Sequence, residues 1–297
     1  MHIKNVGHHS IPNIIFNMYA KEVSSALASI FNKSLQTGSV PKDWRDANVT
    51  PILKGNRHLP ENYRPVSLTA VCCKLLEHII CKHILTHFEK HSILTSLNHG
   101  FRSGYSCETQ LLITMDDLMK NYNSGIQTDV AILDFSKAFD TVPHDKLLGK
   151  LRSYGIHGSL LEWLSHFLSD RIMRVLCEGA PDAKVDSGVP QGTVLGPLLF
   201  LCHINDLPEC VKSKVRLFAD DCLLYRQIRN ESDRQALHED LVALEKWAEK
   251  WGMRFNAKKC YIMHVSPKRN KSTHMYSLGG HILESVPLSR LANIRRP

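Results

Sequence analysis

The 297-residue sequence has no run of 18 or more consecutive apolar residues, so nothing in it reads as a membrane span. Its opening, MHIKNVGHHS, lacks the apolar stretch of a secretory signal, and an intracellular protein is the expectation. None of the nine cysteines stands in a C-x-x-C pair, and their number is odd. That argues against a zinc ribbon or a disulfide framework and for reduced, buried thiols. There is no internal repeat, low-complexity tract or P-loop pattern. Acidic residues are in deficit: 29 Asp and Glu against 37 Lys and Arg leave a net charge of +8. Such a balance favours a polyanionic partner, although charge alone suits any soluble basic protein equally well.

What is present is ample apolar material, 43% of the chain, enough for one large domain or two to three subdomains. Helical periodicity predicts helices over 19–36, 73–89, 159–169 and 233–251. The last carries Leu237, Leu241, Leu244, Trp247 and Trp251 on one stripe, read as core. In the 73–89 helix the expected apolar face is Leu75, Leu76, Ile79, Ile80, Ile84 and Phe88. Ser106 caps a further helix whose expected face is Leu111, Leu112, Met115, Leu118 and Met119. Pro143 opens another, closed by Gly155, and one more runs from about Pro197 to Asp206. Residues 40–66, with four prolines, read as extended or loop structure with a short strand at Asn48–Leu53. Strands are expected at Val130–Leu133 and Lys259–Val265, and hairpins over 171–187, over 215–225 and around Gly279-Gly280. Without strict βαβ alternation, an α+β architecture with an antiparallel sheet fits best. His83, His87 and His91 recur every four residues, but a solvated or nucleic-acid-facing row is the better reading than a metal site.

Two acidic features carry the chemistry. Asp134 directly follows the Val130–Leu133 strand, and Asp220-Asp221 sits at the tip of the 215–225 hairpin. If these strands are neighbours, three carboxylates gather at one sheet edge. A like-charged pair ~4 Å apart costs about 4 kcal/mol at an effective dielectric of 20, so such a cluster calls for a cation. Hard Mg²⁺ prefers these oxygens, and two such ions suit phosphoryl transfer. Taken alone, Asp220-Asp221 reads more readily as an ordinary polar turn.

The context changes that. L-D-F-S-K-A-F-D (133–140), S-G-V-P-Q-G-T-V-L-G-P (187–197) and F-A-D-D (218–221) resemble, in order, polymerase motifs A, B and C of reverse transcriptases. Upstream, P-K-D-W-R-D-A-N-V-T-P-I-L-K (41–54), Y-R-P-V-S-L (63–68) and H-G-F-R-S-G-Y-S (99–106) match as well. The set resembles the non-LTR, LINE-type retrotransposon family from about residue 20 to about 286.

That resemblance implies a right-hand polymerase with fingers, palm and a partial thumb. It implies an RNA-directed DNA polymerase that extends a DNA primer with deoxynucleotides on an RNA template, using two Mg²⁺ ions, or Mn²⁺. The metal ligands it implies are Asp134, Asp220, Asp221 and the backbone carbonyl of Phe135. Phe139 is implied beneath the incoming sugar, excluding a 2′-hydroxyl, with Gln191 and Gly192 near sugar and base. Arg64 is the implied triphosphate arginine. Lys74 and Arg102 could reach phosphate or template, with a solvated surface charge the alternative for both. Lys259 matches the lysine thought to protonate the leaving pyrophosphate, with Lys258 an adjacent competitor. Asp140 reads as structural. The expected division is a helical extension over 1–40, fingers over 41–128, palm over 129–270 and a truncated palm–thumb junction over 271–297. The tail after Val286 reads as a frameshift, an exon artefact or a truncation, which motivates a second hypothesis, a remnant that binds nucleic acid without catalysis. An RNA-dependent RNA polymerase is disfavoured by Phe139 and the F-A-D-D form. A group II intron maturase is disfavoured by length.

Overall fold

The computed structural model describes residues 13–59, 62–175, 183–268 and 273–289. The tail from residue 290 lies outside them. Two compact units are formed, each from two stretches of chain. One takes the residues up to Ile93 and Phe139–His203; the other takes Leu94–Ala138 and the residues from Ile204 onward.

The first unit begins with helices α1 (Asn13–Met18), α2 (Ala20–Gln36) and the single turn α3 (Lys42–Arg45). Strands β1 (Ala47–Leu53) and β2 (Tyr63–Leu68) follow, then α4 (Val71–Lys90). Its second stretch supplies α6 (His144–Ser153), α7 (Gly158–Leu168), β4 (Arg171–Val175), β5 (Ala183–Val185) and α8 (Leu195–Ile204). The four strands make one sheet in the order β2-β1-β4-β5, antiparallel except for the β1–β4 pair. The sequence reads residues 40–66 as extended or loop structure and names no strand at β2. Pro65 is tolerated because it stands opposite Pro51, so neither missing N–H breaks a ladder bond with the other.

Helix α4 is rotated relative to the sequence expectation. Leu76, Ile80, Ile84 and Phe88 are buried as expected, but Leu75 and Ile79 are exposed, and Cys73 and Glu77 take the inward positions. A charged residue inside a stripe of apolar ones reads as surface until its partners are known. His87 meets the Tyr154 carbonyl at 2.9 Å and stacks near His91.

The second unit contains α5 (Cys107–Asn123), β3 (Gln127–Asp134), β6 (Lys214–Phe218), β7 (Asp221–Ile228), α9 (Glu231–Trp251) and β8 (Tyr261–Val265). Short strands β9 (Ser277–Leu278), β10 (His281–Ile282) and β11 (Glu284–Ser285) complete it. Its main sheet runs β11-β8-β3-β7-β6, with β9 and β10 as a separate hairpin. Strand β3 is central and buried almost throughout, which explains its unbroken apolar run. A cluster of Leu118, Val130, Ile132, Leu223, Tyr225 and Met263 packs on one face.

Ser106 caps α5 as expected, and Thr109 completes a reciprocal capping box. The expected apolar face of α5 is corrected: Leu112 and Met119 are exposed, while Gln110, Thr114 and Asn121 are buried with Leu118. Asn121 is bonded to the sheet, donating to Thr128 Oγ1 at 2.9 Å and accepting from Gln227 Nε2 at 2.5 Å. A bonded amide can be buried where an unbonded one cannot. All eight cysteines among the described residues are free thiols. No helix among those residues is long and apolar enough to cross a membrane.

Candidate active site

The acidic edge belongs to the second unit. Antiparallel pairing puts Asp134, the last residue of β3, directly opposite Asp221, the first of β7. Register partners on such strands stand ~4.5–5.5 Å apart at Cα. Asp220 precedes Asp221 in the two-residue turn after β6, whose other member, Ala219, has φ +54°. A left-handed alanine costs on the order of 1 kcal/mol and persists only where its surroundings impose it. The pair and the adjacent Asp220 therefore share one edge, as the sequence argument required.

The three carboxylates are not already closed on a common point, since no such trio converges among the described residues. Asp134 also has a cation beside it, Lys259 Nζ at 3.9 Å from Oδ2. Lys259 ends a 3-10 turn, Ala257–Lys259, just before β8. The chemistry of this donor set fits a hard divalent cation. Mg²⁺ takes one or two protein carboxylates and fills its shell with water and substrate phosphate, so a closed protein cage is not required.

The backbone on either side of Asp134 is held tightly. Its N–H points to Cys260 Sγ at 3.4 Å, and its carbonyl accepts from the Asn256 N–H at 2.8 Å. Burial pushes the Cys260 thiol up to about 11, which keeps a further negative charge away from the aspartates. Phe135 is buried with its ring stacked on Phe255 at 4.3 Å, so the residue holding the implied carbonyl ligand is anchored through its side chain.

A second support was not legible as such in the sequence. Residues 97–100 run beside the turn. The Leu217 N–H donates to the Leu97 carbonyl, and the His99 N–H donates to the Leu217 carbonyl. Buried Asn98 accepts from the Gly100 N–H at 2.9 Å and from the Ala219 N–H at 3.2 Å. A Cβ at Gly100 would stand 2.3 Å from the Ala219 nitrogen. Asn98 and Gly100 thus hold the strained turn in place. The matched stretch H-G-F-R contained the signal, but nothing local said what its glycine faces.

Arg102, in the same stretch, donates to the Thr95 carbonyl at 2.6 Å and lies over the Tyr105 ring at 4.6 Å. Its guanidinium is committed within its own loop.

The remaining candidates lie in the first unit. The Gln191-Gly192 turn is clamped onto β2. The Ser67 N–H donates to the Gln191 carbonyl at 2.8 Å, and Gly192 has φ +92°. A Cβ at Gly192 would stand 2.7 Å from the Ser67 carbonyl oxygen. Gln191 Nε2 donates to Asp140 Oδ1 at 2.9 Å, so Asp140 orients the glutamine. The Phe139 ring stacks on Phe200 of α8 at 4.4 Å, half-buried. Arg64 is exposed on β2, opposite Ile52 of β1, and Lys74 is half-buried in the first turn of α4.

A mixed α and β fold with largely antiparallel sheets, and paired aspartates at one sheet edge, falls in the fold class of right-hand polymerases. The family model described as "Reverse transcriptase (RNA-dependent DNA polymerase)" matches residues 52–282, and the chain belongs to that family. It is 27% identical over 295 residues to "Probable RNA-directed DNA polymerase from transposon X-element" of Drosophila melanogaster, covering 96% of the chain and 32% of that protein. It is 29% identical to "RNA-directed DNA polymerase from mobile element jockey" of the same fly, covering 94% and 32%. A type-1 retrotransposable element R2 polyprotein of Popillia japonica is 28% identical, covering 89% and 37%. The chain thus spans about a third of the length of the curated relatives it matches. Among solved structures, a Candida tropicalis telomerase superposes with TM-score 0.56 at 11% identity, covering 87% of the chain and 47% of the telomerase. That likeness bears on the fold.

Proposed function

We propose that this chain is the polymerase part of a non-LTR retrotransposon reverse transcriptase, adding deoxynucleotides to a DNA primer on an RNA template. The carrying observation is the register that sets Asp134 against Asp221, with Asp220 in the adjoining turn.

Asp134, Asp220, Asp221 and the Phe135 carbonyl are the residues that would hold divalent metal, as two Mg²⁺ ions or Mn²⁺. Metal bound there would lower the pKa of the attacking 3′-hydroxyl and offset charge on the leaving pyrophosphate. The chain's own residues do the rest. Lys259, already within 3.9 Å of Asp134, supplies a mobile cation and a proton to the pyrophosphate. Arg64, exposed on β2, offers a bidentate fork to the triphosphate. Lys74 adds a point charge near phosphate. Phe139, braced by Phe200, presents a flat wall that a 2′-hydroxyl would strike. Gln191, oriented by Asp140, hydrogen-bonds sugar and base, and Gly192 keeps the turn close to β2. Arg102 orders its own loop, which leads into α5, and touches template only through that loop. The assignments of fingers to 41–128 and palm to 129–270 belong to this same proposal.

The test is primer extension on an RNA template with Mg²⁺, comparing the wild type with Asp220→Ala. Loss of about a thousandfold or more is expected from removing a group that meets the reacting phosphate. Equal incorporation by both proteins rejects the proposal. Salt-sensitive binding of nucleic acid with no incorporation by either would return the chain to a binding-only remnant.

A further inference from the structure

Glu77 has no place in the chemistry above, yet it is completely buried, 0% exposed, on the inward face of α4. A buried carboxylate is costly unless hydrogen bonds replace its water. Here they do. Glu77 Oε2 accepts from the Val194 N–H at 2.7 Å and from the Leu195 N–H at 3.0 Å, and the Cys73 thiol lies 3.4 Å from Oε1. Those two amides are among the orphan donors at the start of α8, where the helix macrodipole also favours a negative charge. The Glu77 carboxylate, from a helix more than a hundred residues away in sequence, adds to the local cap of α8, in which Thr193 Oγ1 accepts from the Gly196 N–H at 3.0 Å.

The position of α8 matters because two of the nucleotide-facing features rest on it. Gln191 and Gly192 lie immediately before the capped amides, three and two residues ahead of Val194. Phe200, on the body of α8, carries the stacked Phe139 ring. A shift of the N-terminal end of α8 therefore moves the Gln191 turn and the Phe139 platform together. The nearby buried Arg171, 1% exposed, supplies a compensating charge. Its Nη1 donates to the Phe167 carbonyl at 3.0 Å, while its Nε and Nη2 have no hydrogen-bond partner among the described residues. Burial pushes the Glu77 carboxyl above the usual range, against the pull of the two amides, the Cys73 thiol and Arg171.

Resting on the polymerase reading, we infer that Glu77 is a positioning residue for nucleotide selection: by clamping the Val194 and Leu195 amides it sets where the Gln191 turn and the Phe139–Phe200 stack stand, and so governs nucleotide affinity and discrimination against ribonucleotides. A purely structural glutamate would change melting temperature and the amount of active protein but leave KM and sugar preference alone.

The experiment measures single-nucleotide incorporation with dNTP and rNTP for wild type, Glu77→Asp and Glu77→Gln, together with hydrogen exchange at Val194 and Leu195. Aspartate withdraws the carboxylate by one methylene, out of reach of both amides. Glutamine keeps the length and one acceptor oxygen. For Glu77→Asp the expected result is a rise in KM for dNTP of about tenfold, a smaller change in kcat, weaker discrimination against rNTP, and faster exchange at the two amides. Glu77→Gln should recover most of the wild-type KM and preference. Wild-type incorporation with Glu77→Asp at wild-type KM and preference overturns the assignment and leaves the polymerase reading standing. Wild type that incorporates nothing defeats the polymerase reading and this assignment with it. Should Glu77→Asp melt below the assay temperature, Glu77→Gln decides: faster exchange at Val194 and Leu195 accompanied by a raised KM and weaker discrimination against rNTP supports the clamp, and faster exchange with wild-type KM and preference overturns it.

Discussion

The two units hold their candidate site residues by different means. In the second unit the aspartates are placed by backbone. Register fixes Asp134 against Asp221, and the 97–100 segment pins the turn that carries Asp220 through main-chain bonds and one asparagine. In the first unit side chains add to a few main-chain bonds: the Ser67 N–H holds the Gln191 carbonyl, while Asp140 orients Gln191, Phe200 backs Phe139 and Glu77 binds the α8 amides. The contrast has a physical basis. Clustered like charges push one another apart with several kcal/mol, and a hydrogen-bonded ladder resists that better than rotatable side chains do. Recognition of a sugar carries no such repulsion and can be tuned by single contacts.

The sharpest way to break this contrast is Gly100→Ala. Its Cβ would meet the Ala219 nitrogen at 2.3 Å, and backbone on both sides has little room to yield. Overpacking of this kind costs about 1–3 kcal/mol, and displacement of the turn by a fraction of an ångström should cut incorporation about a hundredfold. Primer extension and a melting curve check it. Wild-type incorporation by this variant would show that the turn is not held from 97–100. Next in size is Phe139→Ala, in the side-chain-built unit. It should relax preference for deoxynucleotides by about tenfold while keeping incorporation, measured as the dNTP-to-rNTP ratio of kcat/KM. If it abolished incorporation of both, the first unit would be as unforgiving as the second.

The smallest effect concerns Asp117 on α5, away from the acidic edge. Burial opposes its ionisation, but hydrogen bonds from Lys214, Tyr225 and Arg216 prevail and hold it at about 2. Its folded pKa is thus below that of the unfolded chain. The stability it contributes is fully present above the usual carboxylate range near pH 4 and is lost as pH falls toward 2. Asp117→Asn should lower stability at neutral pH by on the order of 1 kcal/mol, allowing for solvent screening, and flatten the acid side of a melting-temperature profile. An unchanged profile would mean that this cluster does not couple α5 to β6 and β7.

Much of the layout was legible in the chain itself. Periodicity located α2, α4, α7 and α9, and their ends fall within two residues of the expected ones. The hairpin around Ala219-Asp220-Asp221 and the central strand before Asp134 were both readable, because turn chemistry and unbroken apolar runs are local signals. The missed features are non-local. Strand β2 hides behind Pro65 until Pro51 is known to face it. The inward faces of α4 and α5 include Glu77, Gln110, Thr114 and Asn121, which a hydrophobicity pattern places outside.

Residue types in order were enough to determine the family and to propose the set of carboxylates, since a phosphoryl-transfer site needs acidic oxygens and each motif is a short, contiguous string. Which residues support that set was decided only by folding. Asn98, Gly100, Asp140 and Glu77 act on partners up to 121 positions away, and the energy of a buried polar group depends on the partner it meets rather than on its neighbours in the chain.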